Sequence, residues 1–320
     1  MNKLVENVVR IGLSAAIVSV AEERPQVLVV HHSDGPDGLP FGPFDPIGHR
    51  TMEGGLRAWV REQTELDLGY AEQLYTFGDR GRHLVHTGEG PRVVSVGYLA
   101  LTRERREARD AAWRDWYRFF PWEDWRTDKP AIIDEVIAPA LRRFAKAIDD
   151  KAIAERRKDR ARLAFGFDGL PWDEERVLDR YELLYEAGLV EEAATDGRVT
   201  AESMPARPLG ASMMFDHRRI LATAIARLRG KMKYRPVVFE LMASMFTLLE
   251  LQRTVEAISG IRLHKQNFRR LIETQGLVEG TGRTTQSARG RPAELFRFRR
   301  EVLSERPAPG VRLGMRRAGV

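Results

Sequence analysis

TLLELQRTVEAISGIRLHKQNFRRLIETQGLV, residues 247–278, reads as two helices and the turn between them. Thr247 and Glu250 have capping-box spacing: the Thr hydroxyl satisfies an early backbone N–H, and the Glu reaches back to the cap. The helix they open would bury Leu248, Leu251, Val255 and Ile258, and Gly260 supplies the turn residue that ends it. A second helix runs from about His264 to Thr274. At about 100° per residue, Phe268, Leu271 and Ile272 share one arc and face the core. Gln266, Arg270 and Glu273 fall opposite, with Asn267 and Arg269 at the shoulders. Gln and Asn pair bidentately with adenine, and Arg with guanine or a phosphate. Such a polar face is what the second helix of a helix-turn-helix presents to the major groove.

Downstream, Glu279 to Arg291 is polar and Ala293 to Arg299 alternates, with Phe296 and Phe298 directed inward. This pattern predicts a β-hairpin wing carrying Arg283, Arg289 and Arg291, suited to phosphate or minor-groove contact. Charge agrees: Ile261 to Val320 holds 14 Lys/Arg against 5 Asp/Glu, while the preceding 260 residues sum to −3. A basic end on a slightly acidic chain points to a polyanion there. The expected contacts to double-stranded DNA are Lys265, Gln266, Asn267, Arg269, Arg270, Arg283, Arg289 and Arg291. A homodimer is expected, because two-fold operators go with two-fold proteins.

With 320 residues the chain has room for two domains. It holds no cysteine, which excludes disulfides and thiolate chemistry and suits a cytoplasmic setting. Its apolar runs fall far short of the roughly 20 residues of a membrane span, and the N-terminus reads as strand, not export signal. Ile11–Val20, Gln26–His31, Gln73–Phe77 and Arg92–Leu101 read as strands. Ser33–Gly48 is a Gly/Pro/Asp-rich loop, and Glu53–Gln63 is a helix. Together they predict a mixed α/β domain. Residues 111–125 hold four of the six tryptophans, a density that predicts core or interface, with pocket lining as the alternative. Pro130–Ala154 and Trp172–Ala187 read as helices, Ala193–Pro208 as loop, and Asp216–Lys233 as a helix capped by Asp216. The expected organisation is a sensing domain over 1–150, a helical expansion and linker over 151–213, a linker helix and winged helix over 214–302, and a basic, flexible tail over 303–320.

Leu263-His264-Lys265-Gln266-Asn267-Phe268-Arg269-Arg270, Gly276-Leu277-Val278 and Gly290-Arg291-Pro292-Ala293-Glu294-Leu295-Phe296-Arg297-Phe298 together resemble the winged helix of the Nudix-related transcriptional regulators that control NAD metabolism. Phe215-Asp216-His217, Lys233-Tyr234-Arg235-Pro236 and Gln73-Leu74-Tyr75-Thr76-Phe77-Gly78-Asp79 are similar to that family's linker and first domain. The resemblance covers 8–145 and 214–300. It departs at His264, where the family often has a capping Asp, so the second helix is expected to start on a weaker cap. It implies an N-terminal Nudix-like α/β/α sandwich, a C-terminal winged helix-turn-helix, and repression of NAD-biosynthetic or related genes under an adenine-nucleotide or NAD-related effector.

In the related hydrolases an Arg-Glu pair and a Glu-Glu pair on one helix hold Mg²⁺ against a pyrophosphate. Aligning Thr64-Glu65-Leu66 with the end of that motif puts Ala58-Trp59 and Glu62-Gln63 at those positions and Arg50 at an earlier Glu. The register beginning at Arg61-Glu62 fails too, with Leu66 and Leu68 where Glu and Gly belong. One carboxylate beside an amide is a poor Mg²⁺ set. The resemblance therefore implies a sensor without catalytic or metal-binding residues and with no required cofactor. An active Mg²⁺-dependent hydrolase of ADP-ribose or a dinucleotide is the alternative. Arg50, Arg57 and Arg82 are candidates to meet effector phosphates, and Phe41, Phe44 and Trp122 to stack on its base.

Overall fold

A computed structural model describes residues 9–31, 35–79, 92–106, 110–285, 292–305 and 310–311. The N-terminal sheet has six strands: β1 (Val9–Ala21), β2 (Arg24–Val30), β3 (Phe41–Pro43), β4 (Tyr70–Phe77), β5 (Arg92–Leu101) and β6 (Ala111–Asp115). Its order is β4-β5-β1-β2-β6, with β3 also on β1. The β1–β5 pair is parallel and the others are antiparallel. Alternation along β1 gives the sheet two apolar faces. Leu13, Ala15 and Ile17 join Leu56 and Val60 of helix α1 (Met52–Thr64), while Ala16 and Val18 face the larger core on the other side.

That larger core is built by α2 (Ala138–Lys146), α3 (Lys151–Phe165), α4 (Val177–Glu186), α5 (Glu191–Thr195) and α6 (His217–Met232). The single helix expected over Pro130–Ala154 is instead a π-helical turn (Ile133–Ile137), then α2, then a break before α3. Asp150 starts α3 afresh by accepting from the Ala152 and Ile153 amides, an N-cap that competes with helix continuation. α6 presses on the sheet so closely that a Cβ at Gly97 would stand 3.0 Å from Ile220 Cγ2. Its apolar stripe of Ile220, Leu221, Ala224, Ile225 and Leu228 is fully buried, as the sequence predicts. Asp216 stands at the N-cap position but makes no side-chain cap bond.

The aromatic run is core. Trp116, Phe119, Phe120 and Trp122 are all 0% exposed. Trp122 meets the Phe120 ring edge-on at 5.9 Å. Its assignment as a base-stacking residue is therefore corrected, because no face of its ring reaches solvent.

A C-terminal head follows: α7 (Leu248–Ser259), α8 (Lys265–Gln275), the antiparallel pair β7 (Val278–Thr284) and β8 (Glu294–Phe298), and a last turn α9 (Val302–Glu305). Its core residues Leu251, Val255, Phe268 and Ile272 belong to the same apolar cluster as the sheet and α6. The expected flexible tail is partly folded. Residues 302–305 are helical, and Val311 is buried with its amide donating to Met232 O at 2.7 Å.

Two buried ionic nodes tie these parts together. Glu123 receives Arg180 at 2.5 and 2.8 Å and Arg229 at 2.6 Å, and all three side chains are buried. Arg180 also donates to Ala164 O and Asp173 O, and Arg229 to Ile258 O and Glu174 O, so each guanidinium is held by backbone carbonyls as well as by the carboxylate. Burial pushes the Glu123 carboxyl up, but the two arginines outweigh it and hold the group below the usual carboxylate range. In the second node Arg218 pairs with Glu192 at 3.0 Å and donates to Phe119 O. Residues 117–123, α4–α5, α6 and the end of α7 are thus joined by charge as well as by apolar contact.

Candidate nucleic-acid interface

The helix-turn-helix is fixed from both ends. Thr247 Oγ1 accepts from Glu250 N at 3.1 Å and Glu250 Oε2 accepts from Thr247 N at 2.7 Å, completing the capping box. Gly260 ends α7 at φ 74°, and the Trp125 amide donates to its carbonyl at 2.7 Å. The turn is held from below by side chains that periodicity alone does not reveal. Buried Glu256 accepts from Leu263 N at 2.8 Å and from Arg262, and Gln252 donates to Leu263 O at 2.9 Å. Their signal in the sequence is two long polar residues, four apart, on a helix whose other large buried side chains are leucine, valine and isoleucine.

α8 then emerges with the face the sequence predicts. Phe268 and Ile272 are buried and Leu271 half-buried, while Lys265, Gln266, Asn267, Arg269, Arg270 and Glu273 are exposed. His264 stands at the N-cap without a side-chain cap bond, in line with the expected weak start. Arg269 lies 3.3 Å from Glu273. Lys265, Gln266, Asn267 and Arg270 make no side-chain hydrogen bond or ion pair to any described residue, so their donors and acceptors face water.

β7 and β8 form the wing beside this helix. The Phe246 and Phe296 backbones exchange hydrogen bonds at 3.0 and 2.8 Å, and Phe298 stacks on Phe239 at 4.3 Å. Both wing phenylalanines thus turn inward as expected. Arg283 is exposed near the end of β7, and Arg289 and Arg291 lie outside the described residues. Between the starts of α7 and α8 and strand β8 runs a groove of about 540 Å³, with Lys265 and Arg269 on its wall.

The candidate effector residues are less well gathered. Phe41 is half-buried, edge-on to His217 at 4.9 Å, and Phe44 is half-buried with His49 at 6.0 Å. Arg50 is exposed; Arg82 lies outside the described residues. Arg57 departs from its expected role, because Nε and Nη2 donate to Glu53 at 2.9 and 2.8 Å, and the group also reaches Leu68 O and Gly69 O. It ties α1 to the following loop. His217, to which the sequence assigns no site role, accepts from Leu39 N through Nδ1 at 3.0 Å and so anchors the loop before β3 to α6.

The side chains at the metal-motif positions do not fit Mg²⁺. Gln63 accepts from Phe41 N at 3.1 Å and donates to Phe41 O at 2.7 Å, an exchange a carboxylate could only half complete. Trp59 donates to Pro43 O at 2.8 Å, and its ring lies on Gly42, where a Cβ would fall 2.2 Å from it. Glu62 is left exposed. Among the described residues no group of three His, Asp or Glu side chains could hold a metal ion.

Comparison with known proteins places these observations. Residues 238–298 match the family model of the NrtR DNA-binding winged helix domain. A stretch of 86 residues is 42% identical to the ADPR responsive transcriptional repressor NtrR of Acinetobacter baylyi. That match takes in 27% of this chain and 34% of the relative, so the chain spans about a third of its length. The crystal structure of Shewanella oneidensis NrtR with a 27mer DNA superposes with a TM-score of 0.52 at 21% identity, over 92% of this chain and 95% of that one. A second crystal structure of the same protein gives 0.52 and 20%, over 92% and 96%. At that identity the likeness speaks for the fold. The chain carries an NrtR-type DNA-binding winged helix behind an α/β domain, and its fold as a whole is like that of Shewanella oneidensis NrtR.

Proposed function

We propose that this protein is a sequence-specific transcriptional repressor of genes of NAD metabolism, acting in the cytoplasm as a homodimer under the control of an adenine nucleotide of the ADP-ribose or NAD class. The observation that carries the reading is the exposed face of α8. Lys265, Gln266, Asn267 and Arg270 stand without described partners on a helix whose other face is locked into the core. Bidentate side chains without a partner in the free protein break no internal bond when they pair with base edges, and they add specificity there. Arg269, Arg283, Arg289 and Arg291 are assigned to phosphates, which set register and affinity.

The N-terminal domain is assigned the role of sensor. Binding a nucleotide needs shape, stacking and phosphate donors, and none of these depends on a metal. Gln63 and Trp59 are committed to the β3 backbone, so the hydrolytic carboxylate set is not available. The Acinetobacter relative is ADPR responsive, which makes ADP-ribose the first ligand to test. Phe41, Phe44 and Arg50 are the residues assigned to it here.

Fluorescence anisotropy tests the reading directly, with labelled duplex from the gene's own upstream region against random duplex of equal length. A preference of about a thousandfold is expected, and ADP-ribose or NAD should shift it. A preference within a few-fold, unaffected by either nucleotide, would refute the assignment.

A further inference from the structure

The helical hairpin α2–α3 carries a second concentration of positive charge, remote in sequence from the reading head. Residues 138–165 hold nine Lys/Arg against four Asp/Glu, a net of +5. Outside this hairpin and residues 261–320, the remaining 232 residues sum to −8. A hairpin that served only solubility would not need its cations concentrated in this way in a chain whose remaining residues have the opposite net sign.

Lys158, Arg160 and Arg162 pair with carboxylates, but most of the others are not neutralised within the fold. Arg142, Arg143, Lys146, Lys151 and Arg156 are exposed, and none pairs with a described carboxylate. Three of the hairpin's four acids are not available to those five: Asp150 caps α3, Glu155 meets Lys158 at 3.5 Å and Asp159 meets Arg162 at 3.2 Å. The helices approach across alanines. Ala138, Ala145, Ala154 and Ala161 line a groove of about 380 Å³ between them, with Arg142 and Lys146 on its rim.

The hairpin is also rigidly joined to the head. Phe165, the last residue of α3, stacks on Phe167 at 5.6 Å and meets Trp172 at 6.5 Å. Trp172 packs on Trp125 at 4.4 Å, and the Trp125 amide bonds Gly260 O in the turn that leads into α8. From this aromatic stack α3 extends about 22 Å at 1.5 Å per residue, less than the roughly 34 Å of one turn of DNA.

We propose that the α2–α3 hairpin is a second DNA-contacting surface, which binds the phosphate backbone flanking the site read by α8 through Arg142, Arg143, Lys146, Lys151 and Arg156. The contact is to phosphate, not base, because long unpaired cations on an exposed helical hairpin provide charge without the fixed register that base reading needs. The inference rests on the proposed DNA-binding function but is tested separately from it.

The experiment uses the full chain with Arg142, Arg143, Lys146, Lys151 and Arg156 all changed to Gln, its fold checked by circular dichroism and light scattering. Affinity is measured against salt on a short duplex limited to the operator core and on one extended by a turn at each end. Removing one cation from a phosphate lowers the slope of log K against log salt by about 0.9. We expect the variant's slope on the long duplex to fall by at least about 2, with no change on the short one. An unchanged slope on the long duplex overturns the proposal, and so does an equal fall on both, which would place the effect in the head. If the parent protein prefers no operator, the function proposed above fails, but the same pair of lengths in random sequence still decides the hairpin. A variant that fails to fold is replaced by Arg142→Gln/Lys146→Gln and Lys151→Gln/Arg156→Gln, each expected to lower the long-duplex slope by about 1–2.

Discussion

Replacing Glu123 with alanine removes the one carboxylate that two fully buried guanidinium groups share. Arg180 and Arg229 cannot move to solvent, because Ala164, Asp173, Glu174 and Ile258 carbonyls hold their remaining donors. Breaking a buried pair from one side leaves uncompensated charge and costs about 3–5 kcal/mol. At about 2.1 cal/mol/K per residue, a chain of this size has an unfolding entropy near 0.7 kcal/mol/K, so Tm should fall by about 4–7 °C. The node joins the sheet domain, α4, α6 and α7, so the loss should weaken all of them together. Urea unfolding followed by tryptophan fluorescence and by far-UV circular dichroism would show both transitions moving to lower midpoint in step. A loss below about 1 kcal/mol would refute the reasoning, since it would mean that water or neighbouring dipoles already solvate the arginines. A shift confined to one probe would refute the claim that the node is shared.

Glu123 also predicts an acid limit: its folded pKa is depressed, so its stabilisation is complete above the unfolded value near 4.3 and fades as pH falls through the folded one. Stability measured between pH 6 and pH 3 should therefore fall more steeply in the parent than in Glu123→Gln. Glu256→Ala should leave Leu263 N and the Gln252 amide without their buried acceptor, costing about 1–3 kcal/mol and weakening operator binding through the turn; equal stability and affinity would count against it. Arg270→Ala should cost about 1–3 kcal/mol and relax preference at one operator position, whereas Arg283→Ala should weaken operator and random DNA alike and lower the salt slope by about 0.9. Titrations of both variants on both duplexes separate the two behaviours. Gln63→Glu should not create a hydrolase but should destabilise by about 1–3 kcal/mol, because a carboxylate cannot donate to Phe41 O; Mg²⁺-dependent turnover of ADP-ribose by this variant would contradict that account.

What the sequence made legible follows from how each feature is encoded. The α7–α8 pair was readable because caps and apolar period are local: Thr247, Glu250, Gly260, Phe268 and Ile272 are where the pattern puts them. The sheet was readable strand by strand, apart from β3, which lies in the stretch read as loop, and β6, which is hidden inside an aromatic run. The loss of the Mg²⁺ set could be seen in Gln63 and Trp59, but not what those side chains do instead, since their partners lie about twenty residues away on β3. The buried nodes were illegible for the same reason. Glu123 and Arg229 are 106 residues apart, and a charged residue in a helical pattern reads as surface unless its distant partner is known. The same blindness split α2 from α3 only in the structure, where Asp150 prefers to cap.

Those long-range contacts constrain how a ligand in the N-terminal domain can act on DNA. α6 spans about 24 Å at 1.5 Å per residue, and its two ends meet the two business parts of the molecule. At its start His217 accepts from Leu39 N and the Met214 amide donates to Asp37 O, which ties it to the loop leading to Phe41. Near its end Arg229 donates to Ile258 O in the last turn of α7, seven residues before α8 begins. Between those ends Ile220, Leu221, Ala224, Ile225 and Leu228 are fully buried against the sheet and its neighbours. A close-packed helix of this kind does not bend gradually; it shifts as a unit or stays. A nucleotide that displaces the Leu39–Phe41 loop can move α8 by carrying α6 with it, against the two ionic nodes. Moving a population from one hundredth to ninety-nine hundredths takes about 5.5 kcal/mol of differential binding, somewhat more than the roughly 3–5 kcal/mol lost when one partner is removed from a buried pair. His217→Ala should separate the steps. It removes the acceptor for Leu39 N without touching α8, so operator affinity in the absence of nucleotide should hold while the response to ADP-ribose collapses. If both survive, the signal does not pass along α6.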